Sequence, residues 1–119
     1  MHFGVWEGLT WDEILARTPG LAQEDEKSPR YYRPDGGESF EELCARVAPV
    51  LASVTERLGP DGRALIVSHA GVMHALLRVA LAEADEAALR IKFVPAGIMR
   101  LTGTQIPWTL ARVNETGAP

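Results

Sequence analysis

Residues Ala64 to Leu77, reading ALIVSHAGVMHALL, constrain this chain more than any other stretch. An apolar run, Ala64-Leu65-Ile66-Val67, stops at Ser68-His69. Ala70-Gly71 then opens a helical pattern with Val72, Met73, Leu76, Leu77 and Val79 on its apolar side. A short all-apolar run bounded by turn residues suits a strand buried on both faces of an α/β sheet. Polar residues at the carboxyl end of such a strand, just ahead of a helix, stand where open α/β sheets bind ligands. The helix start adds unpaired N–H groups and partial positive charge, which favour a bound anion. His69 therefore stands beside a ready-made anion site. A lone histidine after a strand is more often a hydrogen-bonded structural residue than a catalytic one, and the spacing alone leaves both roles open.

The 119 residues suffice for one domain at most, with a modest core. A net charge of -4, with basic residues scattered rather than clustered, argues against a nucleic-acid or anionic-membrane surface. No apolar run is long enough to cross a bilayer, and MHFGVWEG lacks the basic and apolar regions of a signal peptide. Cys44 is the only cysteine, so no intrachain disulfide can form and a reducing cytoplasm is the expected location. Its place in an amphipathic helix reads as a small core residue rather than a nucleophile. Phe3, Val5, Trp6, Leu9 and Trp11 put apolar bulk at the first residues, where a free terminus is normally polar. That beginning reads like the middle of something longer.

Thr10 with Glu13 forms a capping box ahead of a short helix from Trp11 to about Arg17, ended by Pro19-Gly20. Gln23 to Gly37 reads as a polar surface loop, within which Tyr31 and Tyr32 pack down or line a pocket. Ser39 with Glu42 forms a second capping box. Phe40, Leu43, Val47, Val50, Leu51, Val54 and Leu58 then make one apolar stripe on a helix ending at Gly59-Pro60, with a kink expected at Pro49. Asp61-Gly62 turns the chain into the central strand. After a helix from Val72 to about Leu81, Ala82 to Leu89 reads as a short helix or turn. Strands are expected at Ile91 to Val94, Ile98 to Thr102 and Trp108 to Val113, the last two joined as a hairpin at Gly103-Thr104. Asn114 onwards reads as a frayed end.

Three stretches in register, FGVWEGLTWDEI (Phe3 to Ile14), PDGGESFEEL (Pro34 to Leu43) and ALIVSHAGVMHALL, resemble the histidine phosphatase superfamily. This is the phosphoglycerate-mutase-like group, and the likeness is to its α-ribazole phosphatase and fructose-2,6-bisphosphatase branch. It covers essentially the whole chain. The resemblance implies a partial three-layer α/β fold, mainly parallel sheet flanked by helices, with a C-terminal hairpin. In that family an Arg-His-Gly histidine attacks phosphorus. Two arginines and a second histidine surround the phosphoryl group, and a glutamate protonates the leaving oxygen. The second histidine matches His69. His69 as catalytic donor and the Ala70 N–H as substrate-binding donor would both aim at phosphoryl oxygens, as phosphoryl transfer requires. The resemblance implies neither metal nor cofactor, and a small phosphorylated metabolite as substrate.

The departures matter as much. This chain contains no Arg-His-Gly; His2 and His74 do not occupy the nucleophile's position, and the acid/base glutamate would fall immediately before Met1. Residues 1–119 thus read as the C-terminal portion of one domain. Phosphoglycerate mutases carry an asparagine where Gly71 stands and a lysine where Trp11 aligns, so a phosphatase is preferred to a mutase. Ser68-His69 is a poor nucleophile pair, since strand neighbours point to opposite faces and no G-x-S-x-G elbow is present. His2, His69 and His74 make a poor metal set, lacking a carboxylate or cysteine at ligand spacing. For Glu7 and Glu38, facing an active-site mouth competes with a solvated or capping role. Trp6 and Trp11 read as core or lid packing. Two functions follow from this reading. One is half of a phosphohistidine-type phosphomonoesterase. The other is an inactive truncated, binding or regulatory domain derived from the family. With the first strand missing, the Leu65–Val67 strand would be uncovered on one side, so the chain should be marginal or pair with a second copy.

Overall fold

The computed structural model describes residues 1–23, 33–82 and 90–116. In chain order these form a 3-10 turn at Gly4–Trp6, helix α1 (Trp11–Arg17), a 3-10 turn at Pro19–Gln23, helices α2 (Phe40–Leu58) and α3 (Ala70–Ala80), and strands β1 (Ile98–Thr102) and β2 (Thr109–Glu115). The chain divides into two compact units, Met1–Leu43 and Cys44–Pro119, so that α2 begins in one and continues in the other. Tyr31, Tyr32 and the expected helix or turn over 83–89 lie outside the described residues.

Both expected capping boxes form in the first unit. Glu13 N donates to Thr10 Oγ1 at 3.4 Å, and Thr10 N donates to Glu13 Oε2 at 2.8 Å. Ahead of α2, Glu42 N donates to Ser39 Oγ at 3.1 Å and Ser39 N to Glu42 Oε2 at 2.7 Å. Each box satisfies N–H groups that a helix start cannot satisfy by itself. The backbone hydrogen bond from Thr10 holds the Glu13 carboxyl below its ordinary range, and the one from Ser39 does the same for Glu42. Trp6, Ile14 and Leu21 form a small core with Leu9 and Leu15 packed on it, and Trp6 Nε1 donates to Thr18 Oγ1 at 3.3 Å.

The start of the chain is held by contact with residues further along. It makes a 3-10 turn laid against residues 35–38, with Val5 N donating to Asp35 O at 3.0 Å and Glu38 N to His2 O at 2.9 Å. Gly4 makes this approach feasible. Its φ is +53°, and a Cβ there would collide with the Asp35 carbonyl and Gly37 N. Of the apolar residues at this start, Trp6 is buried, whereas Phe3, Val5 and Trp11 remain about half exposed. Trp11 is therefore not a core residue of this structure.

In the second unit α2 runs unbroken through Pro49 as one element, and Gly59 closes it in the left-handed conformation, its N–H on Thr55 O. Its apolar stripe is buried at Val47 and Leu51 but exposed at Val50 and Leu58. Cys44, on α2, is half-buried. Helix α3 buries Ala75, Leu76, Leu77 and Ala80, and its last carbonyl, Ala80 O, accepts from Trp108 N at 2.6 Å.

Two expected strands do not form. Among the described residues, 64–67 have no sheet partner, and Leu65 and Val67 are 80% and 87% exposed. Ile91 to Val94 is also outside any strand. The sheet of the described residues is a two-stranded antiparallel hairpin, with no parallel pair. Apolar character marks a segment as able to be a strand, but a ladder needs a second backbone to bond to. The hairpin itself forms as expected, Leu101 opposite Leu110 and Thr102 opposite Thr109. Arg100 faces Arg112 across it, and Glu115 answers both, at 3.4 Å and 3.0 Å.

The expected frayed end at Asn114 is instead part of β2 and holds the segment beside it. Asn114 Nδ2 donates to Lys92 O at 2.7 Å, and Val94 N donates to Asn114 Oδ1 at 3.1 Å. Its φ of +55° is one that asparagine tolerates better than most residues.

Gly4→Ala should cost about 3 kcal/mol in urea unfolding, combining left-handed strain with overpacking against backbone that cannot withdraw. The two capping carboxylates, whose folded pKa values are lowered, stabilise their helices above the ordinary carboxylate range, and the contribution disappears as pH falls through those lowered values. Glu42→Gln should therefore flatten the acid limb of a helix-content titration followed by circular dichroism.

Candidate functional site

Helix α3 starts differently from α1 and α2. His69 is its N-cap, with extended backbone (φ -111°, ψ 160°), and its carbonyl takes the N–H of Met73 at 2.9 Å. Its imidazole makes no capping bond. The N–H groups of Ala70, Gly71 and Val72 therefore have no acceptor within the helix. The first turns of α1 and α2 carry Asp12 with Glu13 and Glu41 with Glu42; that of α3 carries no acid. Two helix starts bring their own anion and the third offers its donors outward. His69 and Ala70 are both exposed.

A cavity of about 1200 Å³ opens beside this start, with Leu58, Leu65, Ser68, His69, Met73 and Trp108 in its wall. It is bounded by the apolar segment that lacks a sheet partner. Among the described residues, the buried Trp108 Nε1 has no hydrogen-bond acceptor.

The other sequence candidates take structural roles. Glu7 Oε1 accepts from Phe3 N at 3.2 Å and lies 3.4 Å from His2 Nδ1, bracing the first turn. Glu38 Oε2 accepts from His2 N at 3.2 Å. Both belong to the first unit and His69 to the second. No group of three or more His, Cys, Asp or Glu side chains suited to a metal ion occurs among the described residues.

Sequence reasoning missed what His74 does. It is buried on α3, with Nδ1 2.8 Å from Ala70 O and Nε2 2.8 Å from Ile91 O. The available signal was its position three residues before Leu77 on the apolar side, which puts an imidazole in the core and obliges it to find partners.

A model of the histidine phosphatase superfamily (branch 1) matches residues 1–116. The chain belongs to the histidine phosphatase superfamily. Among curated relatives of this superfamily chain, glucosyl-3-phosphoglycerate phosphatase of Mycobacterium tuberculosis is 38% identical over 84 residues, covering 63% of this chain and 36% of that protein. The 6-phosphofructo-2-kinase/fructose-2,6-bisphosphatase of Caenorhabditis elegans is 34% identical over 74 residues, covering 62% of this chain and 15% of that protein. The Gallus gallus protein of the same name is 31% identical over 100 residues, covering 83% of this chain and 20% of its own length. The chain thus spans about a third or less of the length of these relatives. Among its described residues, no helix is long and apolar enough to cross a membrane.

Val67→Lys should change the stability of this chain by no more than about 0.5 kcal/mol in urea unfolding, as for other exposed positions. A cost of several kcal/mol would mean that the segment is buried in solution.

Proposed function

We propose that this chain, as the C-terminal portion of a single domain, carries the second-histidine half of a phosphomonoesterase site of the phosphohistidine type. The observation that carries the reading is His69 at the uncapped start of α3, in a chain matched to the histidine phosphatases over residues 1–116. His69 donates from its imidazole to one phosphoryl oxygen, and the Ala70 N–H donates to another. Both act where charge develops on a transferring phosphoryl group, and the fixed helix start needs no reorganisation to do so. No metal or cofactor enters this chemistry.

A small phosphorylated metabolite is the substrate class, in keeping with relatives whose names specify glucosyl-3-phosphoglycerate and fructose 2,6-bisphosphate. The chemistry suits a reducing cytoplasm, where the lone Cys44 stays a thiol. The sequence holds no Arg-His-Gly and so no family nucleophile. By itself, this chain binds phosphate without turning over an ester. That absence equally favours a second reading, a non-catalytic domain derived from the family. The exposed Leu65 and Val67 also favour pairing with a second copy.

Inorganic phosphate should shift the amide resonances of Ala70, Gly71 and Val72 in the isotope-labelled chain. Ala70→Pro should weaken that binding about tenfold, the worth of one charge-assisted hydrogen bond. Proline is accepted at the first helical position, and His69 already has the extended backbone it requires. The chain should hydrolyse p-nitrophenyl phosphate at background rate. Hydrolysis abolished by His69→Ala would show a complete site and overturn the half-site assignment. Amides unmoved by phosphate would remove the anion site.

A further inference from the structure

His74 is the buried polar side chain among the described residues, and the phosphatase reading does not use it. Its ring meets Phe93 edge-on, centroids 4.6 Å apart. Its two nitrogens each lie 2.8 Å from a carbonyl oxygen, Nδ1 from Ala70 O one turn back on α3 and Nε2 from Ile91 O. Carbonyl oxygens accept and cannot donate. A neutral imidazole has a single N–H, so one of these contacts would then set lone pair against lone pair. The imidazolium ion donates at both. The distances also fall in the range of charge-assisted bonds.

The two carbonyls are not equivalent. Ala70 O is already the helical acceptor for the backbone N–H of His74, four residues on. Among the described residues, no backbone N–H donates to Ile91 O. Leaving that carbonyl against a buried ring without a donor costs more than removing a second donor from Ala70 O. On losing one proton the ring therefore keeps Nε2–H on Ile91 and gives up the Ala70 contact.

We propose that His74 is a proton-operated latch, which in its doubly protonated form ties the first turn of α3 to Ile91 and on deprotonation lets go of Ala70. Among the described residues, the charged and titratable side chains on the two segments that it bridges are His69 at the N-cap of α3, Arg78 on that helix, and Arg90 and Lys92 beside Ile91. Each, when charged, opposes a further positive charge; the two carbonyl dipoles favour it. The Ala70 contact is made on the acid side of the titration and lost on the alkaline side. Ala70 is also the first N–H of α3, so the latch governs how firmly that turn is held as pH changes. The latch stands on contacts within the second unit and is independent of what His69 binds.

The test is a pH series on the ¹⁵N-labelled chain, following its imidazole nitrogens by long-range ¹H–¹⁵N correlation between about pH 5 and pH 9, where histidines titrate. Both nitrogens of His74 should be protonated at the acid end. Nδ1 alone should deprotonate as pH rises, and the Ala70 and Gly71 amides should move with the same midpoint. His69→Gln should leave that movement in place, and His74→Gln should abolish it. If His74→Gln does not fold, the wild-type and His69→Gln series decide the matter together. A ring held in one neutral tautomer throughout, loss of the Nε2 proton instead, or amide movement that disappears in His69→Gln would each overturn the latch.

Discussion

A helix begins with N–H groups that its own backbone cannot satisfy, and this protein answers that demand in two ways. In α1 and α2 the answer is internal. Thr10 with Glu13 and Ser39 with Glu42 close the first turns and place a carboxylate on the positive end of each helix. Those caps decide where the helices start, and with that which residues reach the first unit's core. In α3 there is no such box: His69 supplies its carbonyl to the ladder and its side chain makes no capping bond. The contrast is chemical rather than positional. A capped start carries its own acceptor and its own negative charge, and the start of α3 carries neither on a side chain.

Next to that open start lies a second unfinished piece of backbone. Residues 64–67 carry side chains suited to a sheet interior, yet they face solvent beside a large cavity. The superfamily match runs nearly the length of the chain, while the chain spans about a third or less of its named relatives. The unpaired strand-like backbone and the helix start without a side-chain cap are the two features on which the half-site proposal rests.

The readable parts of this sequence were those whose determinants are local. Capping boxes need residues three apart, and α1 and α2 appear where those residues put them. The β1–β2 hairpin needs two adjacent runs and a turn, and it is present. The family was legible because its motifs are contiguous strings. Strand formation at Leu65–Val67 and at Ile91–Val94 was not legible, because apolar pattern reports capacity and pairing depends on a partner elsewhere. The compact turn at Gly4 was hidden for the same reason: it exists through contact with Asp35 and Gly37, thirty residues on. His74 showed its location but not its partners, since neither carbonyl is marked by any side chain. His69 was marked by its position, ahead of any observation about what its imidazole bonds.

Asn114 shows how a residue can stand in for an element. A third strand beside the hairpin would attach by a ladder of bonds, and a one-residue slip would turn every side chain to the other face. Here one carboxamide both gives to Lys92 and takes from Val94, as a peptide group would, and does so from a side chain. Registration of that segment is thereby concentrated at a single position. The placement of residues 92–94 thus depends on one side chain, where a strand would spread the same task over a row of backbone pairs.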